Sequence, residues 1–353
     1  MSSENQHDRT RRFRALTAPG TPLRNGLDRI VKGRTGGLVV LGLNRDVEAL
    51  MTGGFQLDAP LTPQNLRELA KMDGAIVLSA DLSRIVAAGV HLMPDPAYDT
   101  IETGTRHRTA DRVSRQTGLP TVSVSASMQV ISLFVDGERI TLPEPGAILG
   151  RADQALRTLE RYTIRLAEVT DHLSALEIRD QVTVRDVAVV LQRLEMVHRI
   201  KGELRDYVIE LGTEGRLIDL QIRELESGLD NTAELLIEDY RDEANGVAFQ
   251  LADLTTLSTA DLVDLTTIER AVGFGTTDLE AQLYPRGYRQ LSRIGSLPRA
   301  VAARLLDHFG SLQEIFAASL GDLQAVDGVG LRRARAIRDA LAWMAESEFD
   351  ELA

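Results

Sequence analysis

The residues of this chain best suited to chemistry are Asp73-Gly74-Ala75 and the run Gly104-Thr105-Arg106-His107-Arg108-Thr109. The first segment lies between a helical pattern and a short apolar run. Its carboxylate therefore falls at a sheet edge, where Gly74 would let a ligand approach the backbone closely. An Asp-Gly pair is also an ordinary turn. In the second segment two guanidinium groups can grip phosphate oxygens bidentately, and a helix start offers backbone N–H groups to an anion. A solvated basic helix start, with Arg106 or Arg108 paired to Glu102 or Asp111, accounts for the same residue types. His107 could bind phosphate or assist a metal ion, and residue types alone do not decide between these roles.

A third segment lies near the C-terminus. Val326-Asp327-Gly328-Val329-Gly330 is followed by Arg332, Arg333 and Arg335. A Gly-apolar-Gly turn bares N–H groups at a helix start, and these bind DNA phosphates without reading sequence. An earlier turn, Ile294 to Pro298 before Arg299, lacks the second glycine. An ordinary glycine-capped turn explains either one alone. The two together, with Phe309-Gly310-Ser311-Leu312 between them, favour a helix-hairpin-helix. From 286 to 339 nine arginines stand against five acids, a local excess of +4 in a chain whose net charge is -12. A nucleic-acid coat over the whole surface is excluded by that overall charge.

The elements that must position these residues differ along the chain. Leu38–Leu43, Ala75–Leu78, Ser83–His91, Thr121–Val124, Val130–Val135 and Arg139–Leu142 read as strands. Asp136-Gly137 is a two-residue hairpin signal. Helices are predicted before the first strand, over Leu61–Met72, and over Thr105–Thr117, which Gly118 and Pro120 end. Beyond residue 150 strand signals fade. Leu156, Leu159, Tyr162, Leu166, Val169, Leu173 and Leu176 form one apolar helical stripe. Val187 to Leu211 forms a second, broken at Gly212 and Gly215. Asp230–Tyr240 and Ser258–Val272 read as shorter helices. These stripes are core-forming faces of a helical spacer rather than a cofactor box.

Bulk properties narrow the class. At 353 residues two or three domains are expected. The chain has no cysteine, which excludes disulfides and thiolate metal sites and fits a reducing compartment. No 18-residue apolar window predicts a membrane span, and the Arg-rich start (Arg9–Arg14) lacks a signal-peptide core. A cytoplasmic protein with no membrane partner is the expectation. No Gly-rich loop ending in Gly-Lys-Ser/Thr appears, which weakens a P-loop kinase reading.

Asp73-Gly74-Ala75 and Gly104–Arg108, set in Lys71–Ser79, Gly89–Asp95 and Glu102–Arg112, resemble the diadenylate cyclase domain. Thr183–Val197, Glu210–Leu217 and the tail extend the likeness to the DNA-integrity-scanning branch of that family, DisA, from about Phe13 to the C-terminus. The resemblance implies a multidomain fold. It has an α/β diadenylate cyclase domain (1–150) with a central mixed sheet flanked by helices, an all-α spine (151–285), and a small all-α helix-hairpin-helix domain (286–353). It implies condensation of two ATP into cyclic di-AMP and two pyrophosphates. Asp73, Arg106, His107 and Arg108 would be catalytic. Gly74, Ala75, Leu92, Thr105, Thr109 and Ser125 would line the ATP site with the Arg-His-Arg run, Leu92 and Thr109 facing the base. Asp73 would hold Mg2+ or Mn2+; Ala126 and Ser127 stand where other members carry acids, so a ligand there is not expected. Gly328, Gly330, Arg332, Arg333 and Arg299 would contact branched DNA such as Holliday junctions. Two equal product halves require two facing ATP sites, hence a homo-oligomer, in the family an octamer. A non-enzymatic junction-binding protein that merely senses ATP or cyclic di-AMP is the rival reading.

Overall fold

The computed structural model describes residues 12–226, 231–240, 252–274, 278–295 and 297–350. Arg9, Asp230 and Ser296, which belong to the Arg-rich start, the predicted helix at 230–240 and the first hairpin, lie outside the described residues, as does Glu351. The chain packs as two compact units. Unit 1 is Met1–Gln154 with Leu204–Leu220, and unit 2 is Ala155–Glu203 with Gln221–Ala353. The two stripe-bearing helices each contribute to both.

Unit 1 is built on an eight-stranded mixed sheet. In chain order its elements are α1 (Pro22–Lys32), β1 (Gly37–Val40), α2 (Arg45–Leu50), β2 (Met51–Thr52), β3 (Phe55–Pro60), α3 (Pro63–Leu69), β4 (Ala75–Leu78) and β5 (Arg84–Leu92). Then come α4 (Thr105–Thr117), β6 (Thr121–Ser125), β7 (Val130–Val135) and β8 (Glu138–Leu142). The strand order is β2-β5-β4-β1-β6-β7-β8, with β3 also on β5. Among the described residues only β1 and β4 pair in parallel.

Both faces of the sheet are covered, which is why the central strands read as unbroken apolar runs. On one face Leu23, Leu27 and Ile30 of α1 and Leu66 of α3 pack on Val39, Ile76, Leu78, Val122 and Leu133. On the other, Ala110 and Val113 of α4 pack on Leu38, Val40, Val77, Val90 and Phe134. Asp136 and Gly137 adopt φ of 51° and 82°, the left-handed pair that a tight β7–β8 hairpin requires.

Several boundaries differ from expectation. The run predicted as one strand to Leu43 ends at Val40, because Gly42 turns the chain at φ 127° and Asn44 caps α2. Strands β2 and β3 escaped prediction. β3 is mostly exposed, so its sequence shows no apolar alternation. The helix predicted over Leu61–Met72 is confined to Pro63–Leu69, with Thr62 accepting from Asn65 N–H as its cap.

Two long helices follow, α5 (Pro145–Arg179) and α6 (Val184–Leu211). Gly212 then turns at φ 55° into a 3-10 turn ending at Gly215, and α7 (Arg216–Glu226) continues. In unit 2, α8 (Thr232–Tyr240) follows, and α9 (Ala252–Thr255) is a single turn. The single helix predicted over Ser258–Val272 is broken. Asp264 is extended and accepts from Thr266 N–H, so α10 (Leu265–Val272) starts afresh behind that cap. The C-terminal helices are α11 (Tyr288–Ser292), α12 (Arg299–Phe309), α13 (Leu312–Ala317), α14 (Leu320–Gln324) and α15 (Leu331–Asp350). Leu291, Leu305, Leu306, Ile315, Leu323, Ile337 and Leu341 form their shared core. Among the described residues, no helix is long and apolar enough to cross a membrane.

Candidate active site

Sheet register gathers the predicted residues at one edge. β1 and β4 pair Val39 with Ile76, so extending the parallel ladder three residues back sets Gly36 beside Asp73. β1 and β6 pair Gly37 with Val124, which sets Gly36 beside Ser125. β4 and β5 pair Ala75 with Val90, bringing Leu92 to the same end. Four adjacent strands thus terminate around Asp73.

The Asp73 carboxylate is 98% exposed and lies 3.9 Å from a guanidinium nitrogen of Arg106. Arg106 reaches this position from the first turn of α4 because Gly36 leaves it room. A Cβ on Gly36 would stand 2.5 Å from the Arg106 guanidinium. Gly36 immediately precedes β1; its closeness to Arg106 is tertiary, and no local sequence signal announces it.

The alternative pairings of the two arginines are not formed. Glu102 is taken by Arg139 at 3.1 Å, and Asp111 by Arg115 at 2.8 Å. Among the described residues Arg108 has no side-chain partner, and it is exposed. The N-cap of α4, Gly104, supplies no side-chain acceptor, and its first turn holds no acid. Thr105, Arg106 and Arg108 therefore present an exposed cationic helix start, the arrangement that binds phosphate.

His107 departs from the arginines flanking it. Its ring is buried and packs edge-on against Phe134 at 5.9 Å. Burial, and then the Arg139 charge, push its pKa down, with Glu102 opposing. The imidazole packs on Phe134 and holds α4 on the sheet, while its Nδ1 lies beside Gly104 at the start of that helix. Its Nε2 is buried without a partner.

Gly74 also reads differently. At φ 112° its added Cβ would stand 2.6 Å from the Gly89 backbone and 2.9 Å from that of Val90. The close approach is made by β5, and only the backbone of Gly74 is left for a ligand. Ala75 and Leu92 are buried in the core. Thr109 turns its hydroxyl back to donate to Thr105 O at 3.0 Å. Ser125 accepts from Met128 N–H at 3.2 Å and closes the β6–β7 turn.

Metal fit rests on Asp73. Among the described residues no group of three or more His, Asp or Glu gathers to form a cage. A single open carboxylate suits Mg2+ or Mn2+, which are commonly held by one or two carboxylates together with substrate phosphates and water.

In unit 2, Gly328 turns at φ 85° ahead of α15, and its carbonyl accepts from Arg333. Arg304 donates to Asp327 O at 2.8 Å, bracing the same turn. Gly330, Arg332 and Arg333 line a hollow at the start of α15, and Arg332 is exposed. Arg299 is engaged elsewhere, pairing with Glu234 at 3.4 Å and with Glu238.

Comparison with known proteins places this architecture. Residues 24–139 match the model of the DisA bacterial checkpoint controller nucleotide-binding region, and residues 142–280 match that of the DisA linker region. The DNA integrity scanning protein DisA of Parafrankia sp. is 56% identical over 342 residues, 96% of this chain and 95% of that protein. The Streptomyces coelicolor protein of the same name is 55% identical over 96% of this chain and 92% of its own. That of Acidothermus cellulolyticus is 52% identical over 99% and 97%. With both family regions matched in succession and more than half of the residues shared over nearly the full length, the chain belongs to the DisA family of diadenylate cyclases.

Proposed function

We propose that the chain condenses two ATP molecules into cyclic di-AMP and two pyrophosphates at a site completed by a second subunit, and that its C-terminal helices bind branched DNA. The observation that carries the catalytic reading is the position of Arg106, beside Asp73 and unpaired with the acids on its own segment. Arg106 and Arg108 bind the ATP phosphates and stabilise charge that builds on them and on the leaving pyrophosphate. The N–H groups of the first turn of α4 add to that grip. Asp73 orients the attacking ribose 3′-hydroxyl and accepts its proton. Asp73 would also hold Mg2+ or Mn2+ jointly with the phosphates, and the bound ion would neutralise phosphate charge. Leu92, Thr109 and Ser125 flank the nucleotide, and His107 positions α4 from beneath.

Each unit 1 offers one such site, whereas the product has two equal halves. Two sites must therefore face each other across an isologous contact, within an assembly that the family resemblance makes an octamer. In the C-terminal module Gly328, Gly330, Arg332 and Arg333 contact DNA phosphates. Arg299 joins this contact by giving up its exposed ion pairs with Glu234 and Glu238. DNA binding would regulate the cyclase as a cytoplasmic checkpoint on DNA integrity.

Incubation with ATP and Mn2+ should yield cyclic di-AMP. Asp73→Asn should abolish product while ATP binding persists. Undiminished turnover in that variant would remove Asp73 from the mechanism, and full turnover in a proven monomer would overturn the facing-site arrangement.

A further inference from the structure

We propose that unit 1 carries a second binding site, for a small organic phosphate, in a cavity beside β8. The cavity encloses about 330 Å3, within the range of small-molecule sites. Three guanidinium groups line it, from Arg14, Arg24 and Arg151. Among the described residues the single acid on its wall is Glu210, paired with Arg14 at 2.7 Å. Arg24 is balanced by Asp28 behind the wall, so it is Arg151 that leaves the lining positive in a chain of net charge -12.

Two of the arginines are held as a binding site would hold them. Arg24 is only 3% exposed, fixed by Asp28 at 2.9 Å and by Pro143 O at 2.7 Å. Arg14 has its Nε buried with no acceptor. A desolvated guanidinium N–H without an acceptor is unfavourable, but this one is sealed from the cavity as from solvent, so an anion would reach Arg14 only through its terminal nitrogens. Arg151 is exposed at the mouth and bonds only weakly to its own helix, through Ala147 O at 3.4 Å.

The remaining walls choose among anions. Ile140, Leu142 and Ile148 give an apolar side, and Tyr207 a ring. Inorganic phosphate would leave these surfaces without contact. A phosphate carried on a sugar would use them, with Glu210 accepting from its hydroxyls.

This site is separate from the catalytic one. Strands β1, β6 and β7 lie between β4, which follows Asp73, and β8. At about 4.8 Å per strand the two are roughly 19 Å apart along the sheet. Arg24 also belongs to α1, on the face of the sheet opposite α4. An occupant would tie the segment carrying Arg14 to β8 and to the Tyr207–Glu210 stretch of α6, all within unit 1.

Calorimetric titration of the full chain with ribose 5-phosphate tests the proposal, with inorganic phosphate as comparison. The expected result is one ribose 5-phosphate per chain, weakened about tenfold or more by Arg14→Gln or Arg151→Gln and unaltered by Arg106→Ala. Arg151 is exposed, so Arg151→Gln remains informative should Arg14→Gln disturb folding. Four results would each overturn the site: no binding, equal affinity in the Arg151→Gln protein, loss of binding in the Arg106→Ala protein, or inorganic phosphate binding as tightly as the sugar phosphate.

Discussion

The guanidinium of Arg289 lies 2.5 Å from the carboxylate of Glu177, and both side chains are shut away from solvent. Tyr240 donates to the same carboxylate at 2.7 Å and Gln290 at 2.6 Å. Arg289 also donates to Ser174 at 3.2 Å. The pair therefore anchors α11 to α5 and α8 inside unit 2. Removing one member of such a pair leaves an uncompensated buried charge, at a cost of about 3–5 kcal/mol. Arg289→Ala should lower the unfolding free energy of unit 2, read from urea titration, by that measure, while the double replacement Glu177→Leu with Arg289→Met should restore much of the loss. A single-variant loss below about 1 kcal/mol, the scale of exposed pairs, would show that the pair is not sealed.

Asp239 gives unit 2 a pH dependence. Its carboxylate accepts from the N–H groups of Gly287 at 2.7 Å and Arg289 at 2.9 Å, and from Tyr288. Burial, and then the neighbouring Glu177 charge, raise its pKa from 3.8 to about 7 against those donors. A carboxyl whose folded pKa is raised contributes stability that is complete below its unfolded pKa and is lost as pH rises through the folded one. Unit 2 should therefore weaken between about pH 4 and pH 7, with this group contributing up to about 1.4 kcal/mol per pH unit. Asp239→Asn cannot titrate and should flatten that part of the profile. Identical slopes for the two proteins between pH 5 and pH 7 would exclude Asp239 as the source.

Two glycines at the active-site edge should separate catalysis from folding. A Cβ at Gly36 meets the movable end of Arg106, at 2.5 Å. Gly36→Ala should leave thermal stability nearly unchanged yet reduce cyclase activity by about tenfold or more, as a displaced phosphate contact would. A Cβ at Gly74 meets backbone, and φ there is 112°. Gly74→Ala should destabilise unit 1 by about 1–3 kcal/mol. A stable but inactive Gly74→Ala protein would return that residue to a direct role at the ligand.

The contrast shows how far the sequence could be read. Strands such as Ala75–Leu78 and the hairpin at Asp136-Gly137 were legible because their information is local: an apolar run, a pair able to take positive φ. The site residues were legible as types. Their orientation was not. His107 turns inward onto Phe134 while Arg106 and Arg108 stay outside, because consecutive helical residues point about 100° apart and only the packing of α4 decides which one faces the sheet. Glu102 and Asp111 were plausible partners by proximity in sequence. Arg139, from β8, and Arg115, four residues along α4 from Asp111, hold them instead. The break at Asp264 lies in capping chemistry, since its carboxylate accepts from Thr266 N–H and from the Thr267 hydroxyl and so restarts the helix inside the predicted span.

The C-terminal module makes the final prediction, since its arginines are not equivalent. Arg333 donates to Gly328 O and Arg304 to Asp327 O, so both brace the turn. Arg332 is exposed beside Gly330 with no such duty. A purely electrostatic contact should show itself in salt dependence, because each neutralised phosphate releases counterions. Arg332→Ala should weaken binding to a four-way junction similarly for all sequences and reduce the slope of log K against log salt by about 0.9 per contact. Basal cyclase activity without DNA should be unchanged. Arg333→Ala should weaken DNA binding and also lower the stability of the turn. Equal salt slopes for the native chain and the Arg332→Ala protein would take Arg332 out of the interface and leave the turn at Gly328 as a structural feature alone.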